Sequence, residues 1–309
     1  MTRSRRKLLV IIALFLVALI SSEIFLRTAL GLGSMILFLD DNAMEYIPAP
    51  NQHSVRFGNK VAYNEYSMRS LPIGASDECI VLGFGDSVLN GGTLTDQDSI
   101  ATTIVEKQLR RTNADIRFLN ISAGSWGPDN CAAYLNKFGS FNAKMIVLFV
   151  SSHDAYDNMT FKKTVGIHKS YPEEQYPLAL LELLDRYVQP RLMKLIHRRN
   201  VDDDLMINKN GIGFNSGFDF FKDYTEKNQI PFLLCLHAET AEIKAGKFNT
   251  QGEEILSFCE KNGIKVISGF EIGEDLRDFR DQIHLNERGQ RKWAKALGKE
   301  IMEGTKACL

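Results

Sequence analysis

The stretch that most limits what this chain can fold into is Cys79-Ile80-Val81-Leu82-Gly83-Phe84-Gly85-Asp86-Ser87. A short apolar run breaks into Gly-Asp-Ser, and helical spacing succeeds it over residues 98–109. That pattern reads as a buried parallel strand turning toward a helix. The carboxyl end of such a strand is where open α/β sheets bind ligands. The Ser87 hydroxyl is therefore placed to be exposed, beside a turn whose backbone N–H groups can face an anion. By itself the tripeptide is an ordinary turn, and its weight comes from residues near the far end of the chain.

The same alternation repeats along the chain. Further strands are expected at 115–121, 144–150, 230–236 and 264–268, with helices at 134–141, 218–228, 253–262 and 287–302. Strands alternating with helices imply a mostly parallel five-stranded sheet with right-handed crossovers. Residues 160–215 form an insertion between the third and fourth strands, helical over 176–199. Its apolar residues, among them Leu181, Leu184, Leu192 and Met193, are expected to pack on the core, with a lid or membrane-facing role as the alternative, and Pro190 to kink it. Asp96 and Asp98 are expected to cap the first core helix.

Near the far end, Asp281-Gln282-Ile283-His284-Leu285-Asn286 precedes the last helix, with Asn286 placed as its cap. Asp and His three apart can point into one site, the carboxylate holding the imidazole in the tautomer whose other nitrogen takes a proton from Ser. Gly85-Asp86-Ser87 after the first core strand, together with this Asp-x-x-His, resembles the SGNH (GDSL) hydrolase family over residues 77–303. The resemblance implies a flavodoxin-like three-layer sandwich and a triad of Ser87, His284 and Asp281. It implies an oxyanion hole made by the backbone N–H groups of Ser87 and Gly124 and by an Asn side chain after the third strand. There the chain departs from the family. Where Gly-x-Asn-Asp is usual, it reads Ser151-Ser152-His153-Asp154, so His153 stands in the place of the Asn. An imidazole can replace the amide if an N–H points inward. Asn158 is a reserve donor, and Asp86 and Asp154 are further candidates to line the pocket.

The resemblance implies a serine esterase or O-acyltransferase working through an acyl-Ser intermediate. Its substrate would be acyl groups, acetyl above all, on envelope or secreted carbohydrate, or a small ester. The alternative from a different class is an idle SGNH fold that binds glycan or a partner in an envelope polysaccharide complex. No cofactor and no metal is expected, since His53, His168 and His197 show no ligand spacing. His237 and Glu239 close the fourth strand and read as a capped strand end.

The chain opens with Arg3, Arg5, Arg6 and Lys7, then an unbroken apolar run over 8–20. A span needs about 20 residues, which the run reaches if residues 24–26 prolong it. A cleavage site would need small residues where Leu19 and Ile20 stand, so an uncleaved anchor is expected over 1–26. Basic residues stay on the cytoplasmic side, which puts the catalytic domain of a single-pass protein outside it. Residues 27–76 connect anchor and core and include a hairpin about Gly58-Asn59; the core domain covers 77–309. Arg69 in this region is expected to pair with a carboxylate at the surface. Net charge is −1, which gives nucleic acid no electrostatic support as a partner. The five cysteines form no Cys-x-x-Cys pair, and Cys79 and Cys235 read as buried apolar fillers.

Overall fold

The computed structural model describes residues 3–74, 78–111, 115–197, 209 and 212–308. Helix α1 (Arg3–Leu30) is a single helix of 28 residues, long and apolar enough to cross a membrane. It stops where Gly31 and Gly33 adopt φ of 68° and 77°, a region open to glycine. Two hairpins come next. β1 (Phe38–Asp41) pairs with β2 (Glu45–Pro48), and the Asp41 carboxylate closes their turn by accepting from the Ala43 and Met44 N–H groups. β3 (Gln52–Arg56) pairs with β4 (Asn59–Tyr63) across Phe57 and Gly58, both at positive φ, which matches the twist of the flanking strands.

The core runs β5 (Cys79–Gly85), α2 (Ser87–Asn90), α3 (Ala101–Arg110), β6 (Ile116–Ser122), α4 (Pro128–Phe138) and β7 (Met145–Ser151). After the insertion, which carries α5 (Ala179–Glu182) and α6 (Gln189–His197), come α7 (Gly217–Asn228), β8 (Phe232–His237), α8 (Thr240–Ala245), α9 (Thr250–Lys261), β9 (Lys265–Ser268) and α10 (Glu287–Gly304). The five strands pair in parallel in the order β6-β5-β7-β8-β9. That is the flavodoxin-like order, so the fold is the one expected from the sequence.

Every residue of β5, β6 and β7 is buried, which is why these strands read as near-continuous apolar runs rather than alternating ones. The strand period still sorts the side chains into two layers. Cys79 and Val81 join Val105, Leu109, Trp293 and Leu297 of α3 and α10 on one face. Ile80, Leu82 and Phe84 join Tyr134, Phe221 and Ile255 of α4, α7 and α9 on the other.

Four expectations are corrected. Cys79 is no passive filler: it forms a disulfide with Cys308, 229 residues away. Cys131, Cys235 and Cys259 are free and buried. Arg69 is fully buried and donates to the carbonyls of Asn90, Gly92 and Thr95, so it clasps the loop after α2 instead of pairing at the surface. Asp96 caps the short 3-10 turn at Gln97–Ser99, while the first N–H of α3, on Ala101, is met by Gln290 of α10. Finally, the apolar face of the insertion is not on the core: Leu181, Leu184, Leu192, Met193 and Leu195 are exposed. Residues 183–188 there wind as a π-helix between α5 and α6, and residues 198–208 lie outside the described residues.

Candidate active site

Parallel strands of matched register bring their succeeding loops to one edge. Ser87, Gly124, His153 and Glu239 each lie two residues beyond the end of β5, β6, β7 and β8. β5 ends level with β6, where Gly85 pairs with Ser122, and two residues short of β7, where Gly85 pairs with Phe149 and the strand runs on to Ser151. Gly85 must be small for this: a Cβ there would sit 2.9 Å from the Phe149 carbonyl and 3.0 Å from Leu89 Cβ. α2 can therefore fold back directly over the strand end. The Asp86 carboxylate starts α2 by accepting from Val88 N, and Gly91, at φ 75°, stops it after one turn. Ser87 is thus the first residue of a turn held at both ends.

The loop before α10 delivers the other two triad candidates. His284 Nε2 lies 3.0 Å from Ser87 Oγ, and His284 Nδ1 lies 2.9 Å from Asp281 Oδ2. Asp281 also accepts from the backbone N–H groups of Ile283 and His284. Burial alone would raise the Asp281 carboxyl, but the His284 side chain and those two N–H groups hold it well below the usual carboxylate range. Asn286 caps α10 by accepting from Arg288 N and Gly289 N, which fixes where the loop ends. Arg280 donates to the Gly91 carbonyl and Thr95 Oγ1, and Gln290 donates to the Val88 carbonyl. The histidine loop and the serine turn are therefore bolted to each other, not merely adjacent.

His237 supports this loop from below. It is fully buried, with Nδ1 2.8 Å from Glu274 Oε1 and Nε2 2.7 Å from the Ile283 carbonyl. Both ring nitrogens meet oxygen acceptors, an arrangement that favours the doubly protonated ring. Burial opposes that charge, but Glu274 and the Ile283 carbonyl overcome it and raise the His237 pKa. Trp293 Nε1 and Ala238 N complete the partners of Glu274. The capped strand end read from the sequence is a buried ion pair that positions the residue next to His284.

A cavity of about 410 Å³ opens above Ser87, and Asp86, Gly124, His153, Asp157 and His284 line it. Tyr46 Oη donates to the Gly124 carbonyl and pins that loop. His153 is 28% exposed; its Nδ1 bonds Glu239 at 2.9 Å, and its Nε2 lies 4.0 Å from Asp86 and 3.9 Å from Asp157. Burial disfavours its charge, but Asp154, the bond to Glu239, Asp157 and Asp86 outweigh that and push its pKa up to about 10. Asp154 is buried behind the cavity, where it accepts from Ser151 N. Asn158 is elsewhere: its amide donates to the Tyr156 and Gly213 carbonyls and does not line the cavity.

Asp86, His153 and Asp154 each offer one ligand atom within 4.8 Å of the others, a set that no sequence spacing announces. Burial, with Asp86 and Asp157 nearby, pushes the Asp154 carboxyl well up from the usual carboxylate range against the pull of His153. Glu239 is the partner that sequence reading undervalued. The signal was available in its position two residues past a strand end, the same offset as Ser87 and His153.

No protein-family model matches the chain, and no curated protein does. Solved structures do. A lipase/acylhydrolase from Enterococcus faecalis aligns at 12% identity over 72% of this chain and 95% of its own, with a TM-score of 0.43. A member of the lipolytic G-D-S-L family from Veillonella parvula aligns at 14% identity over 71% and 96%, with a TM-score of 0.37. A two-domain esterase active on acetylated mannans aligns at 12% identity over 75% of this chain and 51% of its own length, with a TM-score of 0.43. These likenesses concern the fold alone.

Proposed function

We propose that this chain is a membrane-anchored serine hydrolase of SGNH type that cleaves or transfers acyl esters. One observation carries the reading: His284 bridges Ser87 Oγ at 3.0 Å and Asp281 at 2.9 Å, at the carboxyl edge of the sheet and inside the cavity. Ser87 Oγ attacks the ester carbonyl as its proton passes to His284 Nε2. Asp281, held ionised, steadies the imidazolium that forms. The developing oxyanion is met by the N–H groups of Ser87 and Gly124 and by Nε2–H of His153. The C–O bond then breaks, and the leaving alkoxide takes the proton from His284. A water or an acceptor hydroxyl attacks the acyl-Ser87 ester by the same route in reverse, and only the acceptor distinguishes hydrolysis from transfer.

The acyl groups in this reading are those of envelope or secreted carbohydrate, as the motif resemblance implies. The catalytic domain lies on the extracytoplasmic side, with Arg3, Arg5, Arg6 and Lys7 left in the cytoplasm. The Cys79–Cys308 disulfide supports that side, because such bonds persist in oxidising compartments. The test is a fluorophosphonate probe on the full chain in detergent, with the adduct located by peptide mapping. The adduct belongs on Ser87, and Ser87→Ala should take none. A label at another serine, or no label with the fold intact, would replace this reading by that of an idle binding fold.

A further inference from the structure

The exposed apolar face of the insertion calls for an occupant. On its inner side the segment is firmly held. The Glu23 carboxylate of α1 accepts from the first N–H groups of α5, on Ala179 at 2.7 Å and Leu180 at 3.0 Å. Arg27 of α1 donates to Glu23 and to the Pro177 carbonyl. Glu182 is fully buried and pairs with Arg56 of β3. Ala179 sits in a small core with Leu26 and Leu32 at the end of α1. The start of α5 is thus locked to α1 at the level of Glu23, where the apolar run ends.

On the outer side the sequence offers the opposite. Leu181, Leu184, Leu192, Met193 and Leu195 are 43%, 52%, 52%, 46% and 79% exposed, and most of them line one apolar surface groove. α6 carries Arg191 and Lys194 and no acidic residue, while Asp185 also lines the groove. An apolar face with a basic remainder is the composition of a helix that lies in the boundary between headgroups and acyl chains. Exposed Ile20, Ile24 and Phe25 of α1 flank the Glu23 junction, which brings the apolar surface of α1 up to the start of α5.

We infer that α5 and α6 lie on the same membrane that α1 crosses, as an interfacial amphipathic segment on anionic lipid. The inference rests on the anchor reading under the proposed function and has a consequence for the site. Arg186 and Tyr187 of this segment also line the cavity over Ser87 and His284. The cavity therefore opens beside the headgroup layer, and the enzyme meets esters or acceptors presented at the membrane face.

The experiment uses the full chain in vesicles of phosphatidylglycerol and phosphatidylcholine, with an environment-sensitive thiol label at Leu192→Cys. Labels at Val17→Cys and Lys227→Cys mark α1 and an exposed position on α7. The three native free thiols are buried and silent. Shallow doxyl lipids should quench Leu192 at least ~2-fold more than Lys227, and aqueous iodide should quench it less. Val17 should be quenched by deep doxyl lipids. If Val17 is quenched by lipid while Leu192 answers only to iodide, the interfacial helix is wrong and the anchor stands. If Leu192 is shielded from both quenchers, protein covers the face and the inference is overturned. If neither position sees lipid, anchor and interfacial helix fall together. None of these readings depends on turnover, so an inactive Ser87 would not alter them.

Discussion

Two imidazoles look into the same cavity, each with Nδ1 2.9 Å from a carboxylate and each a little more than a quarter exposed. They differ in what surrounds the other nitrogen. His284 Nε2 faces the Ser87 hydroxyl. His153 Nε2 faces Asp86 and Asp157, with Asp154 buried close behind. In the proposed reaction the ring opposite the Ser87 hydroxyl would take and return its proton. A ring opposite carboxylates is held as a cation. In the proposed reaction the same His–carboxylate unit would serve as base at one place and as N–H donor at the other, and the neighbours decide which.

The comparison breaks most directly at the first ring. His284→Gln and Ser87→Ala should each lower kcat by about 10⁴-fold or more on a small acyl ester, with thermal unfolding nearly unchanged. If His153→Gln lost as much as His284→Gln, the roles would be reversed. The second effect is smaller. His153→Ala should lose about a hundredfold in kcat with little change in KM, while His153→Asn, which restores an amide donor, should keep much of the activity.

A third effect sharpens the contrast through pH. Glu239 keeps the proton on Nδ1 when His153 becomes neutral, so Nε2 turns from donor to acceptor. Activity should therefore fall as pH rises through about 10, and this limb should be missing in His153→Asn. The sign for stability is the same. A histidine whose pKa is raised on folding stabilises the fold fully below about pH 6.5. That contribution is lost as pH rises through about 10, so the melting difference between wild type and His153→Asn should shrink across that window. The smallest effect is that of Glu239→Gln. It should leave kcat near neutrality almost unchanged and move the alkaline limb about one pH unit lower. A limb that stays in place would mean that Glu239 does not set the charge of His153.

Much of the frame was legible in the chain because buried parallel strands are written as short apolar runs with abrupt polar ends. Those ends placed Ser87, and the resemblance to SGNH hydrolases picked out Gly124 and His153 after the next two strands. What escaped was set by contacts across long separations. Arg69 is a charged residue whose burial makes sense only once three carbonyls of the Asn90–Thr95 loop converge on it. Glu239 gains its meaning from His153, 86 positions earlier. The leucines of the insertion have helical spacing, which says that one face is apolar but not what covers it. His237 and Glu274 are polar residues of different segments, and only the fold shows that together they hold the carbonyl beside His284.

The bond between Cys79 and Cys308 joins the first residue of the first core strand to the chain's last turn. The whole α/β domain is therefore a closed covalent ring, with α1 and the two hairpins on the stretch of chain outside it, although the hairpins pack on its core. Protease cutting at any one peptide bond inside the ring cannot release a fragment. The nicked molecule migrates as one species until a reductant is added, and then as two. A cut between α1 and Cys79, by contrast, breaks the covalent link to α1 and leaves Ser87, Asp281 and His284 on one piece.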